Sequence, residues 1–171
     1  TPVCSDGVDN DEDGLIDHAS SSTNPDDGCH GAADVDERPY CEHAVNPLAL
    51  NGMVEGSTRT APNLSISTCT SQSSGPEQIY RVEVPYPARV TARIYDTNFT
   101  SNLYLRSVCE VATPELGCRV FGGGSAGQLV TSQPAGDLFL FVDGMSGQAG
   151  EYKLDVEVLY ELGDRCTNDE R

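Results

Sequence analysis

Nine residues near the N-terminus carry the strongest chemical signal in the sequence. Asp9-Asn10-Asp11-Glu12-Asp13-Gly14-Leu15-Ile16-Asp17 reads D-x-D-x-D-G-x-x-D. A hard cation such as Ca²⁺ takes six to eight oxygens, and carboxylates at alternate positions of a tight loop converge on one point. Asp9, Asp11, Asp13 and Asp17 would supply four of these ligands. Gly14 permits the sharp turn, and the backbone carbonyl of Leu15 supplies the ligand that follows it. Where a bidentate acid would close such a loop, this chain has Ser20. The last ligand must come from elsewhere, and Asp26 and Asp27 in Asn24-Pro25-Asp26-Asp27-Gly28-Cys29 are the candidates. A merely solvated acidic linker would need neither Gly14 nor the apolar Leu15-Ile16. Calcium is the expected cofactor.

Other reactive patterns lead to weaker chemistry. Gly123-Gly124-Ser125-Ala126-Gly127 matches the nucleophile elbow G-x-S-x-G, which needs a strand-to-helix turn with Asp and His following it. Here a strand pattern follows, and His18, His30 and His43 all precede Ser125. Cys29-His30 and Cys41-x-His43 lack the tight Cys pairs of tetrahedral zinc sites. Carboxylate pairs are abundant by composition alone and discriminate nothing. The expectation is no catalytic site. Asn63-Leu64-Ser65 and Asn98-Phe99-Thr100 fit the N-x-[ST] sequon, so Asn63 and Asn98 are glycosylation candidates, with plain polar loops as the alternative.

The elements that position these residues follow from composition. Residues 1–38 hold 5 Leu, Ile, Val and Phe against 11 Asp and Glu. So few apolar residues cannot bury enough surface to offset their ordering entropy. Residues 39–162 hold 31 of the same four apolar types, enough for a core. The expected layout is an acidic calcium-binding segment (1–38), a β-sandwich (39–162) and a polar tail (163–171). Over the whole chain, 27 acidic residues face 10 basic ones, a net charge of −17. Nucleic acid and anionic membranes are poor partners for such a polyanion. No apolar run approaches the ~18 residues of a membrane span, so no membrane insertion is expected.

The body reads as all-β. Tyr80, Val82 and Val84 alternate with Arg81 and Glu83; Val90, Ala92 and Ile94 alternate with Thr91 and Arg93. Tyr152, Leu154, Val156, Val158 and Tyr160 alternate with Lys153, Asp155 and Glu157. This period of two means half-buried strands. Further strands are expected near 48–55, 102–109, 118–121, 128–132 and 137–143, separated by Pro85, Pro87, Gly122-Gly123-Gly124, Pro134 and Gly144. Eight or nine short strands indicate a single β-sandwich or jelly roll. Leu138-Phe139-Leu140-Phe141-Val142 is apolar on both faces. Its outer face lies either under the chain's own loop or acidic segment, or against another subunit.

The run Cys4-Ser-Asp-Gly-Val-Asp-Asn-Asp-Glu-Asp-Gly-Leu-Ile-Asp resembles the calcium segments of large secreted bacterial proteins, similar to thrombospondin type 3 repeats and dockerin loops. The body resembles the bacterial pre-peptidase C-terminal-like β-sandwich family. The stretches that carry this likeness are Cys41 with Leu48-x-Leu50-x-Gly52, Cys69, Gln78-Ile79-Tyr80-Arg81-Val82, Asn102-Leu103-Tyr104-Leu105-Arg106 with Cys109, and Val142-Asp143-Gly144 with Gly150-Glu151-Tyr152-Lys153-Leu154. The resemblance implies the pairs Cys4–Cys29, Cys41–Cys69 and Cys109–Cys118, which sequence alone does not prove. Cys166 is then left over, for an intermolecular bridge, a partner outside the segment or a free thiol. Seven cysteines in so short a chain point to a disulfide-forming, extracellular or cell-surface location.

Together these readings lead to a non-catalytic, calcium-stabilised extracellular structural module, a subunit or repeat of a surface filament assembling head to tail with itself or with neighbouring repeats. The alternatives are a calcium-dependent carbohydrate-binding or adhesive module, with glycans as partners, and an accessory domain of a secreted hydrolase.

Overall fold

Among the described residues nine strands form, most of them where β-branched and aromatic residues alternate with polar ones, and turns interrupt them at Gly, Pro and Asn. They are β1 (Val45–Pro47), β2 (Met53–Ser57), β3 (Ser73–Val84), β4 (Ala88–Tyr95), β5 (Ser101–Arg106), β6 (Gly117–Phe121), β7 (Gly127–Gln133), β8 (Gly136–Met145) and β9 (Glu151–Tyr160). The structure is a computed structural model and describes residues 1–10, 15–18, 28–29, 32–33, 41, 44–65, 67–70, 72–109 and 115–160. The expected polar tail 163–171, with Cys166, lies outside the described residues. The chain divides into two compact units, Thr1–Val45 and Asn46–Arg171.

The strands make a five-stranded sheet of order β1-β3-β8-β5-β6 and a four-stranded sheet of order β2-β9-β4-β7. The pairs β2–β9, β3–β8, β4–β7, β4–β9, β5–β6 and β5–β8 are all antiparallel. This is the all-β sandwich that the alternation predicted. Its core is built from Val82, Val84, Leu103, Leu105, Leu138, Leu140 and Val142 of the larger sheet against Val90, Ala92, Ile94, Leu154, Val156 and Val158 of the smaller. Tyr80 and Tyr152 join the two layers at the same depth, with their hydroxyls 2.7 Å apart.

Two strand expectations need correction. A strand near 48–55 is replaced by a turn at Leu48–Gly52, closed by Gly52 N–H donating to the Ala49 carbonyl at 3.0 Å, and β2 begins only at Met53. β3 starts at Ser73, well before the apolar alternation begins, because Ser73-Ser74-Gly75-Pro76 contains no apolar residue to reveal a strand. The register between Ser73↔Met145 and Glu77↔Asp143 contains a β-bulge.

The two-faced strand β8 has its outer face covered by the chain itself. Phe141 is fully buried and stacks on Tyr104, with ring centroids 4.6 Å apart, and the Arg106 guanidinium lies 4.8 Å from the Phe141 ring centre. The segment between β2 and β3 crosses this face. Leu64 N–H donates to Glu77 Oε1 at 2.9 Å, and Asn102 Nδ2 donates to Ser67 Oγ at 2.6 Å. The outer side of β8 at Phe141 is therefore packed against the chain itself.

Candidate functional site

In the N-terminal unit, Val3–Ser5 form a short 3-10 turn, and Cys4 is bridged to Cys29 as expected. Asp17 is buried, with its backbone in the left-handed region at φ +57°. Its Oδ1 accepts from Asp6 N–H at 3.0 Å and its Oδ2 from Gly7 N–H at 2.9 Å. His18 N–H donates to the Cys4 carbonyl at 3.1 Å. The two ends of the acidic run are thus clasped together at the Cys4–Cys29 bridge. Each carboxylate oxygen has two lone pairs, so Asp17 can clasp the turn and still offer an oxygen to a cation. Asp9 and Leu15 are half-buried in the same segment. Asp11, Asp13, Asp26 and Asp27 lie outside the described residues. The donor set is carboxylate and carbonyl oxygen throughout, which suits Ca²⁺.

The disulfides correct the implied pairing. Cys69 is joined to Cys118, so neither Cys41–Cys69 nor Cys109–Cys118 forms. Cys41 and Cys109 are each disulfide-bonded as well. The cause is the path of the segment before β3. It folds over the outer face of the larger sheet and sets Cys69 beside Cys118 on β6, with both sulfurs near Asn102 Oδ1 at 3.6 and 3.4 Å. Cys109 is held elsewhere, since its carbonyl accepts from Arg106 Nη1 at 3.3 Å. Among the described residues, Cys69, Glu115 and Cys118 bring three potential metal-ligand atoms within 4.8 Å of one another, but the two sulfurs are spent in the bridge.

Beneath that covering segment lies a cluster that sequence reasoning missed. On the outer face of β3, β5 and β8, Glu77, Arg106 and Asp143 are buried, as is Tyr104. Arg106 Nη2 pairs with Glu115 Oε1 at 3.2 Å, with both side chains almost fully enclosed, and Nη1 donates to Ser65 Oγ at 2.8 Å. Glu77 and Asp143 are direct cross-strand partners. Burial pushes the Glu77 carboxyl up to about 8, and the neighbouring Asp143 charge adds to the effect. Burial also lifts the Asp143 carboxyl to about 7, against the hydrogen bonds it accepts from Ser73, Gly144 and Gly75. One signal was legible: Asp143 shares the strand face of Phe139 and Phe141, so whatever covers those rings must also cover its carboxylate.

Ser125 sits in the turn between β6 and β7 that leads directly into a strand, so the nucleophile-elbow pattern is a turn. Gly124 has φ +77°, and a Cβ on Gly127 would lie 1.9 Å from the Phe121 ring. Asn63 and Asn98 are both exposed. The Asn98 side chain also holds the start of β9, accepting from Glu151 N–H at 2.8 Å.

No protein-family model matches the sequence, and comparison with curated proteins finds no match. Solved structures do match. The chain is similar to the pre-peptidase C-terminal domain of a collagenase from Bacillus anthracis, at 14% identity over 66% of this chain and 94% of that one, with a TM-score of 0.50. It is also similar to PliG of Aeromonas hydrophila, a periplasmic inhibitor of g-type lysozyme, at 13% identity over 67% of this chain and 96% of that one, with a TM-score of 0.44. A cleaved adhesin domain of Lys-gingipain from Porphyromonas gingivalis matches at 13% identity over 64% of this chain and 74% of that one, with a TM-score of 0.39. The first likeness establishes a shared sandwich fold with the pre-peptidase C-terminal domain; identities this low carry no function.

Proposed function

We propose that this chain is a non-catalytic structural module of an extracellular protein. In this reading it is a disulfide-stapled sandwich whose N-terminal segment is ordered by calcium and which joins copies or neighbouring repeats head to tail. The observation that carries the structural part is a short edge strand beside a trough. β1 and β2 end their sheets on the same side, and β1 is only three residues long. Beside β1 lies a trough of about 650 Å³, lined by Pro47, Leu48, Leu50, Arg81, Glu83 and Pro85. A strand edge with unpaired N–H and C=O groups accepts an extended segment from a neighbour. A contact of that kind is heterologous and propagates when its rotation does not close. The disulfides support an oxidising, extracellular location.

Two observations favour the other readings. The fold shared with a collagenase's pre-peptidase C-terminal domain favours an accessory domain of a secreted hydrolase. The exposed pair Tyr86 and Tyr160, with ring centroids 5.9 Å apart, favours a carbohydrate-binding surface. Light scattering and electron microscopy of the full chain, with calcium and with chelator, separate these roles. Calcium-dependent polymers are the expected result. A monomer at every concentration replaces the structural reading with an accessory or adhesive one.

A further inference from the structure

We propose that Glu77 and Asp143 form a second, buried site for a hard divalent cation of the calcium class, inside the sandwich and independent of the N-terminal loop. The two residues face each other across β3 and β8, where directly opposed Cβ atoms lie about 5 Å apart. Glu77 is 2% exposed and Asp143 0%. Glu77 Oε2 and Asp143 Oδ1 make no hydrogen bond, although both are enclosed. Beside these two unsatisfied oxygens lies Tyr104. Its hydroxyl is fully buried, meets Ser65, and lies within electrostatic reach of both carboxylates. Two carboxylate oxygens without partners therefore stand on directly paired, buried residues, and buried polar groups left so are rare and costly.

Charge sets the valence. The paired carboxylates Glu77 and Asp143 have no cation of their own, because the nearby Arg106 guanidinium is engaged with Glu115. When ionised, the group carries two uncompensated negative charges, which one divalent cation neutralises. The donors are all oxygen, which selects Ca²⁺ or Mg²⁺ over softer metals. The backbone is shaped to the same end. The bulge between Ser73 and Glu77 wraps around Asp143, whose carboxylate accepts from Ser73 Oγ and from the Gly75 and Gly144 backbones. That wrap needs a close approach, since a Cβ on Gly75 would lie 2.5 Å from the Gly144 carbonyl oxygen. Bulges of this kind often stand beside sites.

The test uses the full, oxidised chain carrying Asp9→Asn, Asp11→Asn and Asp13→Asn, so that the N-terminal loop no longer competes. After chelation and dialysis, calcium chloride is titrated at pH 8 while ion stoichiometry and sandwich unfolding are measured. Bound calcium is expected, with the folded-to-unfolded ratio rising about 100-fold at 100 times the dissociation constant. Adding Glu77→Gln or Asp143→Asn should abolish both effects. Terbium offers a readout that does not depend on these variants, since excitation of Tyr104 should sensitise its emission and Tyr104→Phe should reduce it. No bound calcium, or unfolding that responds to acidification from pH 8 to 5 and not to calcium, overturns the proposal in favour of protons shared by the pair. Calcium binding that survives Glu77→Gln and Asp143→Asn in a folded chain also overturns it.

Discussion

The hydroxyl of Tyr80 on β3 meets that of Tyr152 on β9 at 2.7 Å, tying the two sheets together through a hydrogen bond inside the core. Replacing either residue with Phe strands the other hydroxyl in an apolar layer, at a cost of about 1–3 kcal/mol. Replacing both removes donor and acceptor together, so the double variant should lose less than the sum of the singles. Urea denaturation of the three variants measures this. Burial, more than any other influence, pushes both phenols above the usual tyrosine range. The folded state therefore holds these protons where the unfolded chain releases them, near pH 10. The contribution is fully present below that pH and lost as pH rises above it.

Peptide mapping without reduction should recover Cys4 with Cys29 and Cys69 with Cys118. The second bridge spans 49 residues, and a loop of that length is worth about 4 kcal/mol by chain entropy. Cys69→Ser with Cys118→Ser should lower the sandwich's stability by an amount of that order. Recovery of Cys69 with Cys41 would contradict the structure.

Arg106 and Glu115 are a buried ion pair. Arg106→Met leaves the Glu115 carboxylate enclosed without its partner and should cost about 3–5 kcal/mol. Arg106→Met with Glu115→Gln should recover much of that loss. Equal destabilisation of the single and double variants in a chemical melt would show that the pairing carries little of the effect.

Asp17 clasps the turn at Asp6 and Gly7, so Asp17→Ala should open the N-terminal loop whether or not calcium is added. Asp11→Ala and Asp13→Ala should instead resemble chelation. In each case residues 5–30 become sensitive to protease while the sandwich persists. Limited proteolysis with mass spectrometry checks this, and an N-terminal segment equally resistant with and without chelator would remove calcium from its description.

The sequence by itself determined the strands whose alternation is clean: Tyr80–Val84, Val90–Ile94 and Tyr152–Tyr160. A period of two can be read locally, and burying one face leaves a sandwich as the outcome. It also determined the oxygen-rich loop from Asp9 to Asp17, because adjacent residues hold that whole motif. Only the tertiary structure decided that Cys69 pairs with Cys118, and that the Asp17 carboxylate accepts from two backbone amides. It alone placed Glu77 opposite Asp143 in the buried layer under the covering segment. These are contacts between segments far apart in the chain, set by which loop crosses which sheet face. Nothing in the local pattern of Ser73-Ser74-Gly75-Pro76 or Val142-Asp143-Gly144 records the segment that covers them. Side chains that look solvent-facing in sequence, such as Arg106 and Glu77, thus became, with Asp143, the most deeply buried ionisable groups among the described residues.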